Sequence, residues 1–126
     1  MKLVLNALVG ATSSILGEAL MLGEKGGLSP VQMMDVISQS AVASPLLKYK
    51  QDMIAQMDFS PAFSVEQMIK DFTLITGAAR DKQIPMVVAN LILQQYTAAS
   101  DAGYSDLDFF ALFDWMRVSG GLADNA

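Results

Sequence analysis

Lys2 and Asn6 are the two residues of this sequence whose types and spacing best suit chemistry. Four positions apart on a helix, they share one face, one turn apart, so an ammonium and a carboxamide can address a single ligand. Each has an ordinary reading: Lys2 as a solvated terminal lysine, Asn6 as an exposed helix amide. A buried amide in so apolar a helix, however, needs a partner, because an unpaired polar group costs a few kcal/mol (about 1–3 in protein mutational series). The two are better explained together, by something polar docking on their face. Lys70-Asp71 reads by default as a surface charge pair of little energetic weight. Other chemistries are excluded by composition. The absence of cysteine and histidine removes most zinc sites, serine-type triads and cysteine–histidine dyads. Carboxylates are scattered singly rather than clustered for a metal, and Gly26-Gly27 lacks the strand and spacing of a phosphate-binding loop.

The element that must carry Lys2 and Asn6 is a helix from Met1 to about Glu24, roughly 35 Å long at 1.5 Å per residue. At 100° per residue Val4, Leu8, Ala11, Ile15 and Leu22 fall on one side, flanked by Leu5, Thr12, Leu16 and Ala19. The opposite strip holds Lys2, Asn6, Val9, Gly10, Ser13, Gly17 and Glu24. The pattern predicts that most of the circumference is buried and that this narrow strip of polar and small residues faces a ligand. For Gly10, Ser13 and Gly17 themselves, the favoured reading is that they allow a close helix crossing.

Further helices follow from their start signals. Ser29-Pro30 with Gln32, and Ser64 with Gln67, are capping boxes, and Ser44-Pro45 is a third start. In the helix from Pro45, Leu46, Tyr49, Met53 and Met57 form the inward stripe, with Lys48, Lys50 and Asp52 outside. Asp58–Phe63 reads as a loop with two aromatics to be housed. From Ser64 to about Asp81, Val65, Met68, Ile69, Phe72, Ile75 and Ala79 point inward, with Lys70 and Asp71 on the flank. A helix after Pro85 runs to Ala102 and stops at Gly103. Tyr104-Ser105-Asp106 caps a last, strongly apolar helix that ends at Gly120-Gly121. No stretch alternates with period two. The expectation is all-α, about six helices around the long first one, over residues 1–121, with 122–126 as a frayed tail.

The whole chain has 126 residues, enough for one core, with 52 % hydrophobic and 17 % charged residues. That apolar share implies that a partner covers part of the surface. A net charge of −5 argues against general nucleic-acid or anionic-membrane binding. The start resembles a signal peptide in its lysine and apolar run, but Asn6 interrupts the run and no small-x-small site ends it. Asn6, Thr12, Ser13, Ser14 and Glu18 likewise sit badly in a membrane span. A cytoplasmic location is expected.

In order along the chain, MKLVLN, the GLSP helix start, the DFSPAF loop, IKDFTL and GYSDLDFFAL resemble the C-terminal domain of the β-hydroxyacid dehydrogenases. That family includes 3-hydroxyisobutyrate dehydrogenases, tartronate semialdehyde reductases and glyoxylate/succinic semialdehyde reductases. The resemblance spans Met1 to about Leu112. It implies a 6-phosphogluconate-dehydrogenase-like helical domain that dimerises and partners a Rossmann domain holding NAD or NADP, here missing from the chain. By position it makes Lys2 the catalytic acid/base, Asn6 a substrate anchor, Lys70 a cofactor contact, and Phe63 and Asp71 residues lining the substrate end. The substrate implied is a small hydroxyacid or semialdehyde, and the chain alone is expected to be inactive. Imine reductases share the architecture but generally replace the lysine; phosphogluconate relatives usually carry a histidine where Leu5 stands. The ending DWMRVSGGLADNA departs from common members. A non-enzymatic interaction module and a secreted helical protein are the rival readings.

Overall fold

In the computed structural model, which describes residues 1–122, six helices form the domain and no strand occurs among the described residues. They are α1 (Lys2–Lys25), α2 (Pro30–Ile37), α3 (Pro45–Gln56), α4 (Val65–Asp81), α5 (Val87–Ala99) and α6 (Leu112–Ser119). A wide π-type turn, Ser100–Tyr104, follows α5, and a 3-10 turn, Phe109–Ala111, leads into α6. The tail expected to fray falls at 123–126 outside the described residues, while Leu122 still donates to the Arg117 carbonyl.

The starts are where the caps put them. Ser29 and Ser64 accept from the backbone of Gln32 and Gln67, whose amides accept from the cap residues' own N–H, and Ser44 accepts from Leu47 N. Each cap satisfies a donor that the first helical turn leaves unpaired. Gly103, with φ 101°, lies inside the π-type turn, so the regular helix ends three residues short of Ala102. The last helix also starts differently from expectation. Asp108, rather than Tyr104–Asp106, caps the 3-10 turn by accepting from Phe110 N.

The orientation of α1 reverses the expected one. Its buried residues are Gly10, Ser13, Ser14, Leu16, Gly17 and Leu20, whereas Val4, Leu8, Ile15 and Leu22 are exposed. The small strip is the packing face, as the close-crossing reading of Gly10, Ser13 and Gly17 has it: Gly10 lies over the Phe72 ring of α4, and Gly17 faces Phe113 and Met116 of α6. Close approach needs side chains with little or no bulk, and the aliphatic row is left outside. By length and composition α1 could cross a membrane, but here this inward strip is packed along α4 and α6. Its far end is fastened by Glu24, whose two carboxylate oxygens accept from Arg117 at 2.7 and 2.9 Å. Arg117 also lies 3.6 Å from Asp114, which accepts from Tyr104 OH at 2.9 Å.

The core joins Leu16, Leu20, Met34, Ile54, Val65, Met68, Phe72, Ile92, Tyr96 and the Phe109–Phe113 run. Two further facings differ from expectation. Lys50, read as outside, is buried with Leu47 and Ile54, while Tyr49 of the expected stripe is 84 % exposed. Asp71, read as part of a surface pair, is buried on α4. In each case a distant partner makes burial tolerable: Asp108 for Lys50 and Asn6 for Asp71.

Candidate active site

The candidate site lies where the first turns of α1 meet α4. Gly10 lets the two helices approach until an added Cβ would stand 2.3 Å from Phe72 Cε1. One turn earlier, that closeness brings Asn6 to Asp71: Asn6 Nδ2 donates to Asp71 Oδ2 at 2.6 Å. Asp71 is 6 % exposed, so this short, charge-assisted bond is poorly screened. Committing an amide N–H to Asp71 fixes the flip of Asn6, and its carbonyl oxygen remains free to accept from another donor.

Lys2 stands one turn before Asn6 and is exposed, Asn6 is half-buried, and Lys70 is exposed next to Asp71 in sequence. Of the site residues expected on α1 and α4, the structure thus joins Asn6 and Asp71 through a part-buried hydrogen bond, while Lys2 and Lys70 are exposed and make no ion pair or hydrogen bond among those described. Close by, Leu3, Val4 and Ala7 face Ile75, Ala78, Ala79, Lys82, Ile84 and Met86 across an apolar notch of about 150 Å³.

Phe63 belongs to a neighbouring arrangement, the turn between α3 and α4. Its ring meets Phe109 edge-on, centroids 6.1 Å apart, and its backbone N–H donates to Asp108 Oδ1 at 3.3 Å. Asp108 has no solvent exposure and also accepts from Lys50 Nζ, Ala62 N and Phe110 N, each at 3.1 Å. The reading of the sequence missed Lys50 and Asp108. Leu47, Lys50 and Ile54 do recur at i, i+3 and i+7, a spacing that would have placed the lysine inward.

An exposed ammonium group one helical turn from a hydrogen-bonded amide suits the edge of an anionic dinucleotide or a small acid. Among the described residues no strand and glycine-rich turn cradles a pyrophosphate, so the fit is to one side of such a ligand.

Comparison with known proteins places the chain in a family. A protein-family model described as NAD-binding of NADP-dependent 3-hydroxyisobutyrate dehydrogenase matches residues 1–116. Glyoxylate/succinic semialdehyde reductase 1 of Arabidopsis thaliana is 29 % identical over 119 residues, covering 94 % of this chain and 41 % of the relative. 2-(Hydroxymethyl)glutarate dehydrogenase of Eubacterium barkeri is also 29 % identical, over 94 % of this chain and 40 % of its own length. Among solved structures, 3-hydroxyisobutyrate dehydrogenase from Salmonella typhimurium superposes with a TM-score of 0.83 at 27 % identity, covering 90 % of this chain and 40 % of that one. The Mycobacterium tuberculosis 3-hydroxyisobutyrate dehydrogenase, solved with L-serine, gives 0.80 at 27 % identity, over 92 % and 42 %. The chain thus spans about two-fifths of the length of the relatives it matches. With the family model running through α1 and most of α6 and the same helical arrangement in solved members, the chain belongs to the 3-hydroxyisobutyrate dehydrogenase family.

Proposed function

We propose that this chain is the helical catalytic and dimerisation domain of an NAD(P)-dependent oxidoreductase acting on a small β-hydroxyacid or semialdehyde. The observation that carries this reading is the Asn6–Asp71 hydrogen bond one turn from exposed Lys2. A dinucleotide-binding Rossmann lobe closes the cleft from the other side. NAD or NADP, when bound, supplies or accepts the hydride.

The residues of this chain handle the proton and the placement. In reduction, the Lys2 ammonium gives a proton to the carbonyl oxygen, which becomes the alcohol hydroxyl; in oxidation, the neutral amine takes that proton back. Asn6, its N–H held by Asp71, offers its carbonyl oxygen to the substrate hydroxyl or to the Lys2 ammonium and so holds the two in register. Asp71 fixes that amide, Phe63 forms an aromatic wall at the substrate end, and exposed Lys70 faces the cofactor as a fixed positive charge. The exposed row Val4, Leu8, Ile15 and Leu22, together with Val88 and Leu91 of α5, is covered by a second copy. Without the nucleotide lobe the chain has no turnover.

The test fuses the dinucleotide-binding portion of the Arabidopsis thaliana reductase ahead of Met1 and follows NADPH oxidation with succinic semialdehyde or glyoxylate. The fusion is expected to turn over, and Lys2→Ala to lower kcat by about 10²–10⁴-fold, the usual worth of a positioned acid/base. A folded, NADPH-binding fusion that is inactive, or one whose Lys2→Ala variant keeps full kcat, refutes the proposal.

A further inference from the structure

Lys50 and Asp108 form a buried ion pair that lies outside the proton-transfer chemistry. Lys50 Nζ is 3.1 Å from each Asp108 oxygen. Oδ1 also takes the backbone N–H groups of Ala62 at 3.1 Å and Phe63 at 3.3 Å, and Oδ2 takes Phe110 N at 3.1 Å. One buried carboxylate thereby gathers donors from α3, from the turn before α4 and from the 3-10 turn before α6. Around it, Asp108 N donates to Phe59 O, Phe109 N to Phe63 O and Val65 N to Leu107 O, at 2.8–2.9 Å. The lysine ammonium stands 5.0 Å from the Phe109 ring centroid and 5.6 Å from that of Phe110. Phe63 rests edge-on upon Phe109.

A buried ion pair is a weak source of net stability, because desolvating both charges offsets most of their attraction. It is a strong source of geometry, because the carboxylate satisfies its lone pairs with only this set of donors in place. We infer that Lys50 and Asp108 are positioning residues, locking the 58–63 turn so that Phe63 presents a fixed aromatic wall to the substrate. This rests on the function proposed above for Phe63. The pair acts through Phe63 and leaves the proton transfer at Lys2 unchanged. An uncharged core could hold the turn as firmly only by supplying three other acceptors for Ala62, Phe63 and Phe110.

The test has two arms. In the 126-residue chain, amide exchange at Ala62 and Phe63 is compared between the parent sequence, Lys50→Met, and the double variant Lys50→Met/Asp108→Asn, which avoids stranding one buried charge. In the fusion enzyme, KM and kcat are measured for Lys50→Met, Lys50→Arg, Phe63→Ala and Lys50→Met/Phe63→Ala. Expected are exchange at Ala62 and Phe63 faster by tenfold or so, a KM raised by a similar factor with kcat little changed, restoration by Lys50→Arg, and no further rise when Phe63→Ala already carries the loss. Unchanged exchange and KM overturn the inference, as do additive effects of Lys50→Met and Phe63→Ala. Failure of both the single and the double variant to fold also overturns it, by making the pair a core requirement alone. A Lys2→Ala fusion of full activity refutes the functional proposal separately, leaving the exchange arm to decide whether the pair holds the turn.

Discussion

Two helix-interior glycines, Gly10 and Gly77, should respond in opposite directions to the same change. Glycine inside a helix costs about 1 kcal/mol relative to alanine, so substitution is stabilising wherever the methyl group fits. At Gly77 the nearest foreign atom to an added Cβ is Arg80 Nη2 at 3.7 Å, an ordinary contact. At Gly10 the Cβ would stand 2.3 and 2.5 Å from Phe72 Cε1 and Cζ, with Met68 Sδ at 3.4 Å. The Phe72 ring has no solvent exposure and lies against Tyr96, so it has nowhere to retreat. Overpacking of this kind costs about 1–3 kcal/mol, which outweighs the propensity gain. For a chain of this size, each kcal/mol moves Tm by about 3–5 °C. Gly77→Ala should therefore raise Tm by a few degrees and Gly10→Ala should lower it, followed by helical circular dichroism on heating. Because Gly10 sets the α1–α4 spacing, Gly10→Ala should also weaken the Asn6–Asp71 bond and lower kcat in the fusion. A Gly10→Ala chain stabilised as much as Gly77→Ala would show that α1 does not pack on α4 at this distance.

Asp71→Ala should release the Asn6 amide and destabilise the chain by about 1–3 kcal/mol in urea unfolding, the range for stranding a buried donor. Asp71→Asn should lose less stability and still lower kcat. Burial and the hydrogen bond to Asp114 push the Tyr104 phenol up to about 12, and burial raises Tyr96 as well. Folded protein thus keeps protons that unfolded chains release near pH 10, so the stabilisation is complete below pH 10 and falls as pH rises toward 12. Urea midpoints measured across that window should decline, and less steeply in Tyr104→Phe. Leu8→Glu with Ile15→Glu, both on the exposed row of α1, should leave helicity intact and convert the associated form to monomer in sedimentation; a parent chain that is already monomeric at micromolar concentration removes the dimer from the proposal.

Local chemistry made much of the fold readable. Ser29, Ser44 and Ser64 announce their helices through side chains that act within three residues, and Gly26 and Gly120 follow the ends of α1 and α6. What failed to read depends on distance along the chain. Lys50 and Asp71 look like surface charges until partners 58 and 65 positions away are known. The facing of α1 misled for a different reason. Hydrophobic periodicity locates the most apolar side, but a close crossing selects the smallest side, and in α1 these are opposite. Lys2 and Asn6 could be paired from spacing alone. That Asn6 spends its N–H on Asp71 could not, because the bond exists only once Gly10 has admitted Phe72.

Polar fastenings hold α1 near both ends, at Asn6 and at Glu24, about 27 Å apart along the axis at 1.5 Å per residue. Between them the helix behaves as a strut with little freedom to swivel against the other five. Any segment joined ahead of Met1 through continued helix would inherit its heading, and flexing between the two parts would concentrate in the turn before Asn6. Lys2 rides in that turn, so its reach would vary with the opening and shutting of a neighbouring lobe while the amide behind it stays anchored.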